Sequence, residues 1–590
     1  MKTKEDLLNK FIDWQNEKVS DRQRLIVLSI IIGLAVGLAA VIIKNLVHLI
    51  RVFLEGLITG QYHWLYIVTP TIGIAIAVVF IKYINRRPVR HGIPGILYAI
   101  SKNKGHMNRH NLYSSIITSA LTVGFGGSVG LEGPTVATGG AIGSQIGQLL
   151  KLDRKQITLL LGCACAGAMA SIFKAPVAAI VFALEVIMLD LTMSAIVPLL
   201  ISSVTAALTG YLFWGQNVLY SFTIREEFIL GHVGWYILFG IFTGLVSVYF
   251  TKMYMAVSGF FESFKHHWFK LLFGGLVLGI MVFIFPSLYG EGYEVINECL
   301  NGDYHLLFEG AIYERFEHKI FFTVLVLFLI LILKVIATSV TFGAGGVGGI
   351  FAPSLFTGAI AGLLFAFVLR NFGVEISPSN FALVGMAGMI AAVIHAPLTA
   401  IFLIAEITGG YELFMPLMLV ATISYATTKI FVPNSVYTIQ LAKRGELITH
   451  HKDKATLMLL NLRELIETDF NTLLPEAKLG DLVETIKFAH RNIFPVVEQN
   501  GTFRGIIKLD DIRHIMFNSE MYDNVSVRDM MFMPDMAIEV HESMEEIAHK
   551  FHESGRYNIV VLENGKYLGF ISRAELFSAY RKLLKDSSEH

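Results

Sequence analysis

The sequence is poor in charge and in cysteine, and both shortages limit what the chain can be. Only 16% of its 590 residues are charged, against 54% hydrophobic, and its mean hydropathy is +0.59. This composition is too apolar for an ordinary soluble protein and predicts a chain that crosses a lipid bilayer many times. The formal net charge is zero, so nothing indicates nucleic acid as a partner. Two of the three cysteines lie in one apolar segment, which indicates neither a disulfide framework nor a metal cluster.

The first 24 residues lack the basic start and short apolar core of a signal peptide. Apolar side chains alternate there with charged ones, which is typical of an amphipathic helix on a membrane surface. We therefore expect residues 1–24 to form a cytoplasmic amphipathic segment.

Two loops differ in charge and predict the orientation of the chain. Residues 85–110 contain six Lys or Arg and no Asp or Glu, which is a positive-inside signal for a cytoplasmic loop. Residues 287–317 contain seven acidic residues and one arginine, and we interpret them as an external loop. We expect both termini in the cytoplasm and the protein in the plasma (inner) membrane.

A glycine-rich stretch interrupts the apolar pattern at residues 124–139 and contains one ionisable residue, Glu132. Glycines let backbone N–H groups approach a ligand, and Pro134 suits the first turn of a helix. The stretch therefore predicts a loop that leads into a helix N-terminus, where anions bind readily. A carboxylate is unfavourable at membrane depth, so Glu132 is expected to have a function there. We interpret it as a gate, that is, a side chain that occupies the anion site and that an anion can displace. The alternative is a glycine run for helix packing with a capping Glu.

The same pattern recurs in the second half of the chain. Residues 343–358 repeat five of the six glycines, the proline and Thr138 of the first stretch at a spacing of 219, with Phe351 opposite Glu132. An Ala-Pro segment that ends in Glu185 recurs 221 residues later and ends in Glu406. Glycine-interrupted segments at matching places in two halves indicate the substrate site of a transporter. We expect an all-α polytopic membrane domain with an inverted repeat of broken helices.

After Pro433 the composition becomes charged and soluble in character, and residues 443–590 contain a repeat of their own at a spacing of 64. Each unit is predicted to form a helix, a strand, an Asn-Gly turn, a second strand and a helix that opens on Asp511 or Glu575. This region resembles a tandem CBS module, a soluble α/β domain. The resemblance implies an adenine nucleotide whose ribose is bound by Ser572, Glu575 and Asp511. Lys508 stands where Ser or Thr is usual, and the alternative is a purely structural dimerisation module.

Three separated motifs of the membrane region resemble the CLC chloride channel and transporter family. They are Gly130-Leu-Glu132-Gly133-Pro134, Gly348-Gly-Ile350-Phe351-Ala-Pro353, and Tyr437 in the stretch that follows Pro433. The resemblance covers residues 25–442 and implies a homodimer in the lipid bilayer with one chloride pathway per subunit. It implies that Glu132 is the gate and that Gly133 and Gly92 belong to the anion-binding site. It also implies that the backbone N–H groups of Ile350 and Phe351 and the hydroxyl of Tyr437 hold a central anion.

The chain departs from the family at its first pore motif. The family has Gly-Ser-Gly-Ile-Pro, whereas this chain has Arg90-His91-Gly92-Ile93-Pro94. His91 therefore takes the place of a serine hydroxyl beside the anion, and it can donate through either ring nitrogen. The alternative is that His91 points away from the site and the amides near Gly92 bind the anion without it. The sequence therefore leaves the choice between chloride and nitrate open.

A second departure concerns protons. Proton-coupled members usually have a second glutamate just after the position of Glu185, and here that position is Val186. A valine cannot carry a proton, so the leading hypothesis is a passive chloride channel gated by Glu132. A proton-coupled chloride exchanger is the alternative. A membrane enzyme is a distant third hypothesis, because the chain lacks a His-Glu-x-x-His pair, and we expect neither enzymatic activity nor a required cofactor.

Overall fold

A computed structural model describes residues 18–61, 64–87, 89, 92–187, 193–215, 228–309, 311–316, 319–409, 411–443, 460 and 462–588. They form two compact units that divide at residues 447 and 448. The predicted boundary between residues 442 and 443 stays a prediction, because residues 444–459 lie outside the described residues. Most of the predicted N-terminal amphipathic segment, residues 1–17, also lies outside them.

The first unit is helical. Its helices are α1 (Asp21–Gln61), α2 (Leu65–Val79, continued by a π-helical turn at Phe80–Asn85), α3 (Gly92–Lys102), α4 (Asn111–Gly124), α5 (Glu132–Leu149), α6 (Arg154–Phe173), α7 (Pro176–Glu185), α8 (Met193–Trp214), α9 (Val233–Glu262), α10 (His267–Ile284), α11 (Tyr293–Leu300), α12 (Ile320–Gly343), α13 (Phe351–Asn371), α14 (Pro378–Ile394), α15 (Pro397–Ile407), α16 (Phe414–Phe431) and α17 (Val436–Lys443). Nine helical stretches of the described residues are long and apolar enough to cross a membrane.

Several helices are too short to cross on their own, as the sequence predicts. Helix α7 has 10 residues, which at 1.5 Å per residue covers about half of the ~30 Å hydrocarbon thickness. Helix α15, its counterpart in the second half, has 11 residues. Short helices leave backbone groups at membrane depth, which is tolerated only inside protein or beside a cavity.

The two glycine-rich stretches meet at the centre of this unit. Gly130 and Gly349, which occupy the same position in the two halves, exchange two backbone hydrogen bonds of 2.9 and 2.7 Å. Gly126 and Gly345, also equivalent, share a left-handed backbone with φ of +100° and +104°, which glycine adopts without strain. Equivalent residues that pair with each other place a pseudo-twofold axis between the halves, and the predicted inverted repeat is confirmed.

The second pair of equivalent segments is joined by reciprocal helix caps. Glu185, at the end of α7, accepts hydrogen bonds from the amides of Leu398 and Thr399 at the start of α15, at 3.2 and 2.8 Å. Glu406, near the end of α15, accepts the two equivalent bonds from α7 at 3.1 and 2.8 Å. Each carboxylate thus satisfies free N–H groups at the positive end of the other helix.

Close helix packing depends on glycine at the crossing points. Helices α13 and α14 cross where Gly358 faces Gly385, and a Cβ on either residue would overlap the carbonyl oxygen of the other. Small residues let membrane helices approach until their backbones touch, which increases van der Waals contact. The alanine- and glycine-rich composition of these segments is therefore a packing requirement.

The second unit contains two small sheets. Its elements are α18 (Leu479–Phe488), β1 (Ile493–Val497), β2 (Phe503–Lys508), α19 (Leu509–Ile512), α20 (Val527–Met530), β3 (Ala537–Glu539), α21 (Met544–Ser554), β4 (Asn558–Glu563), β5 (Lys566–Ser572) and α22 (Arg573–Ser588). Strands β1 and β2 are antiparallel, as are β4 and β5, while β3 pairs with β4 in parallel. The predicted α/β class is confirmed, and β3 is a strand that the sequence analysis did not predict.

Local chemistry explains the turns and helix starts of this unit. The Asn-Gly turn between β4 and β5 has positive φ at both residues, +53° at Asn564 and +76° at Gly565, as a type I′ hairpin requires. Helix α21 begins with a capping box of Ser543 and Glu546. The hydrogen bonds that Ser543 donates lower the pKa of Glu546.

Candidate functional site

Four helices of the first unit begin around one small cavity. Residues at the starts of α3, α5, α13 and α17 line it, and they include Gly92, Gly133, Ile350 and Tyr437. The first amides of a helix have no partner within the helix, and the peptide dipoles add positive partial charge there. The cavity has a volume of about 20 Å³, and roughly 10–15 Å³ is enough for one water. Its size and its position at four helix starts suit one small anion, and the assignment of an anion to it stays a prediction.

The cavity wall offers donors without a fixed positive charge. The described residues that line it carry no charged side chain, and they include two phenols, Tyr254 and Tyr437. An anion held by partial charges binds and can still leave, as conduction requires. The Tyr437 side chain is 7% exposed, and its hydroxyl has no hydrogen-bond partner among the described residues. A buried hydroxyl without a partner is unfavourable, and a bound anion would satisfy it.

Glycines allow the helix starts to converge on the cavity. Gly92 has φ of +39°, and a Cβ there would lie 3.0 Å from the Cα of Gly133. A Cβ on Gly349 would lie 2.9 Å from the amide nitrogen of Gly133. A residue larger than glycine at either position would displace the neighbouring backbone. Glycine is therefore required at these positions for the cavity to form.

Glu132 lies beside this cavity. It is the first residue of α5 and is 1% exposed. Tyr293, the first residue of α11, donates a hydrogen bond to its Oε1. Its Oε2 lies so close to Gly130 that a Cβ on Gly130 would overlap this oxygen. A Cβ on Gly349, which lines the cavity, would lie 3.6 Å from the same oxygen. The carboxylate thus occupies a helix N-terminus next to the anion cavity, so a bound anion and the ionised Glu132 repel each other.

Comparison with known families agrees with this geometry. Residues 73–429 match the family model described as voltage gated chloride channel, and residues 462–518 and 527–582 match the CBS domain model. The chain belongs to the CLC family. It is therefore an integral, multi-pass membrane protein of a family that transports anions, and it ends in a CBS domain pair. CLC proteins are transporters or channels and not enzymes, so the hypothesis of a membrane enzyme is wrong.

Curated relatives cover most of the CLC region. The chain is 27% identical over 435 residues to the H(+)/Cl(-) exchange transporter ClcA of Vibrio cholerae, which covers 71% of this chain and 88% of that protein. It is 29% identical over 431 residues to a ClcB-like chloride channel protein of Ralstonia nicotianae, which covers 70% of this chain and 96% of that protein.

Solved CLC structures share the fold. A slow cyanobacterial Cl−/H+ antiporter aligns with a TM-score of 0.61 at 22% identity, over 72% of this chain and 99% of its own. A eukaryotic CLC transporter aligns with a TM-score of 0.62 at 20% identity, over 94% of this chain and 98% of its own. At these identities the likeness concerns the fold alone.

The predicted anion-binding residues are only partly brought together. Gly92, Gly133, Ile350 and Tyr437 line one cavity, and Glu132 lies beside it. Phe351, whose predicted donor is its backbone N–H group, follows Ile350 as the first residue of α13, and its ring is buried against Phe173, with centroids 5.3 Å apart. His91 lies outside the described residues. The assignment of these residues to an anion stays a prediction.

At the predicted inner proton position, Val186 caps the C-terminal end of α7 and is 6% exposed. Its neighbour Glu185 accepts a hydrogen bond of 2.7 Å from the Thr399 hydroxyl, in addition to the hydrogen bonds from two amides of α15. The role of Glu185 in this structure is to hold α15, and Val186 provides no titratable group.

Three residues near the site were missed by the sequence analysis. Tyr254 lies in the apolar helix α9 and lines the cavity, but it is one of three tyrosines of that helix, so no local signal distinguished it. Tyr293 and Glu291 contact the start of α5 from the loop that the sequence analysis identified only as acidic. No motif marks them, since they lie about 160 positions from their partners.

The candidate nucleotide residues lie near the starts of two helices of the CBS region. Ser572, the last residue of β5, accepts a hydrogen bond of 3.1 Å from the amide of Glu575 in the first turn of α22. Asp511 lies in the short helix α19. The Lys508 ammonium group lies 5.1 Å from the centre of the Phe532 ring. Binding of an adenine nucleotide stays a prediction.

Proposed function

We propose that the protein exchanges chloride for protons as an H+/Cl− antiporter. The observation that carries this proposal is the position of Glu132, a titratable group against the wall of the anion cavity. We infer that it acts as a homodimer with one pathway per subunit, in the plasma (inner) membrane, with both termini in the cytoplasm. The exchange transporter named among its relatives supports this choice over a channel.

One carboxylate can couple the two ions. When Glu132 is ionised, its charge competes with an anion for the positive ends of α5 and α13. When a proton neutralises Glu132, the anion binds without this competition, and Tyr293 retains a hydrogen-bonding partner. Loss of the proton then favours departure of the anion. Exchange requires in addition that the proton reaches Glu132 from the side of the membrane opposite to the arriving anion, so that the two ions leave in opposite directions.

A passive channel is the second candidate, and Val186 favours it. A proton that travels between the cytoplasm and Glu132 needs a titratable group or a chain of waters, because an isolated charge is strongly disfavoured in an apolar interior. Val186 stands where the family usually has an acid. The exchanger proposal therefore requires that water or another residue carries the proton past Val186.

Chloride is the proposed anion. The amides and phenols of the cavity do not by themselves distinguish chloride from nitrate, and His91 replaces the usual serine.

The CBS region is proposed to regulate transport, with Asp511, Ser572 and Glu575 as the candidate contacts for an adenine nucleotide.

Replacing Tyr437 by phenylalanine tests the anion cavity. The change removes one neutral donor of several, so chloride affinity is expected to fall by about 1 kcal/mol, or roughly fivefold. Isothermal titration of purified protein with chloride measures it. Tyr411→Phe is the matched control, because Tyr411 is 54% exposed outside the cavity. Equal affinities in Tyr437→Phe and the unaltered protein would remove the hydroxyl from the anion site.

A further inference from the structure

A short segment before α11 lies against the glycine-rich stretch that leads into α5. We name residues 286–293 the gate strap. The Ser128 hydroxyl donates a hydrogen bond of 2.7 Å to the carbonyl of Leu288 in the strap. In the other direction, the Tyr289 hydroxyl of the strap donates one of 2.9 Å to the carbonyl of Gly124. These reciprocal bonds fix the strap to the stretch that positions the gate.

Two further helices hold the end of the gate strap. The ammonium group of Lys334, in α12, donates a hydrogen bond of 3.1 Å to the carbonyl of Gly290 and lies 4.6 Å from the centre of the Phe356 ring. Gly292 has φ of +82°, and a Cβ there would lie 2.5 Å from the same ring, which belongs to α13. Glycine therefore lets the strap turn tightly against α13 just before Tyr293.

The gate strap brings one phenol to the gate. Tyr293 is the first residue of α11, and its half-buried ring packs against the hydrophobic core of the first unit. Its hydroxyl donates a hydrogen bond to Oε1 of Glu132. Because the backbone of the strap is fixed and the ring is packed, the hydroxyl cannot follow the carboxyl group far. The bond is therefore made while Glu132 lies at the start of α5 and is broken when Glu132 moves away.

We propose that Tyr293 is a positioning residue that holds Glu132 in its place beside the anion cavity. A carboxyl group accepts this hydrogen bond in its ionised form and in its protonated form, so the bond opposes displacement of Glu132 in both. Tyr293 does not line the cavity within the described part of the chain, so it acts on the anion through Glu132. The proposal rests on the proposed function of Glu132 as a gate that a passing anion displaces.

Removal of the phenol oxygen tests this role. Tyr293→Phe keeps the ring and loses the donor, so Glu132 is displaced more easily. Chloride efflux from proteoliposomes, at equal pH on both sides, is expected to be about fivefold faster than with the unaltered protein. Tyr313→Phe is the matched control, because this half-buried tyrosine between α11 and α12 donates to the carbonyl of Leu307 and not to the gate. Its efflux rate should not change.

A double-mutant cycle separates the proposed role from a merely structural one. Glu132→Ala removes the carboxyl group that Tyr293 holds, so adding Tyr293→Phe to it should not change the efflux rate further. An equal change on adding Tyr293→Phe with and without Glu132 would show that the hydroxyl acts on the fold alone, and would overturn the inference.

The outcomes also separate this inference from the proposed exchange. Faster efflux in Tyr293→Phe that disappears in the Glu132→Ala background supports the inference, whether or not protons move with chloride. An unaltered rate in Tyr293→Phe would overturn it, and uphill proton movement would still report exchange at Glu132. An unaltered rate in Glu132→Ala would overturn both the gate and its positioning by Tyr293. If Tyr293→Phe does not fold, Tyr293→Met, which also lacks a donor, takes its place.

Discussion

Replacing Glu132 by glutamine is expected to abolish proton movement while chloride flux continues. Glutamine has the shape of the carboxylate and keeps an oxygen that can accept the hydrogen bond of Tyr293. It takes up no proton and carries no charge, so it can neither transport a proton nor compete with the anion. Parallel chloride-electrode and pH recordings from one set of proteoliposomes measure both fluxes. Proton flux should fall to the background of empty liposomes.

Glu412→Gln is the control for this change, since Glu412 is an exposed acid just before α16. It should leave both fluxes unaltered. Loss of chloride flux in folded Glu132→Gln protein would show that Glu132 has a structural role. Persistence of proton flux would place the coupling group elsewhere.

Replacing Glu185 by alanine is expected to cause a large loss of stability. The change leaves the amides of Leu398 and Thr399 without their acceptor and removes a negative charge from the positive end of α15. Hydrogen bonds to a charged group contribute about 1.5–3 kcal/mol each, so we expect a loss of roughly 2–4 kcal/mol in the free energy of unfolding. The unfolding midpoint temperature in detergent measures the effect.

The repeat provides an internal comparison for the stability prediction. Glu406→Ala removes the equivalent cap on α7 and should lower the midpoint by a similar amount. Glu375→Ala, at an exposed position between α13 and α14, should leave it unaltered. A midpoint for Glu185→Ala equal to that of Glu375→Ala would show that the cross-caps add nothing to stability.

The centre of the fold could be predicted because its constraints are local. Gly130 and Gly349 must lack a Cβ so that the two glycine-rich stretches can meet, and the sequence therefore shows both as glycine at the spacing of the repeat. The inverted repeat and the place of Glu132 at a helix N-terminus followed from this pattern. The composition alone predicted the change from membrane to soluble structure.

Contacts between distant segments could not be predicted. The sequence analysis used Glu185 only to locate the inner proton position at Val186, whereas the structure shows that Glu185 caps a helix of the other half. Tyr293 contacts Glu132 across 161 positions of sequence, from a loop whose only visible property was its acidity. Such contacts depend on how the helices pack, and no spacing in the sequence indicates them.

The central claim is that chloride and protons are coupled at Glu132. The most direct test imposes a chloride gradient on proteoliposomes at equal internal and external pH and records proton movement. We predict that chloride flow drives protons uphill and that Glu132→Gln removes this movement. Rapid chloride flow without any uphill proton movement would contradict the exchanger and support the passive channel that Val186 favours.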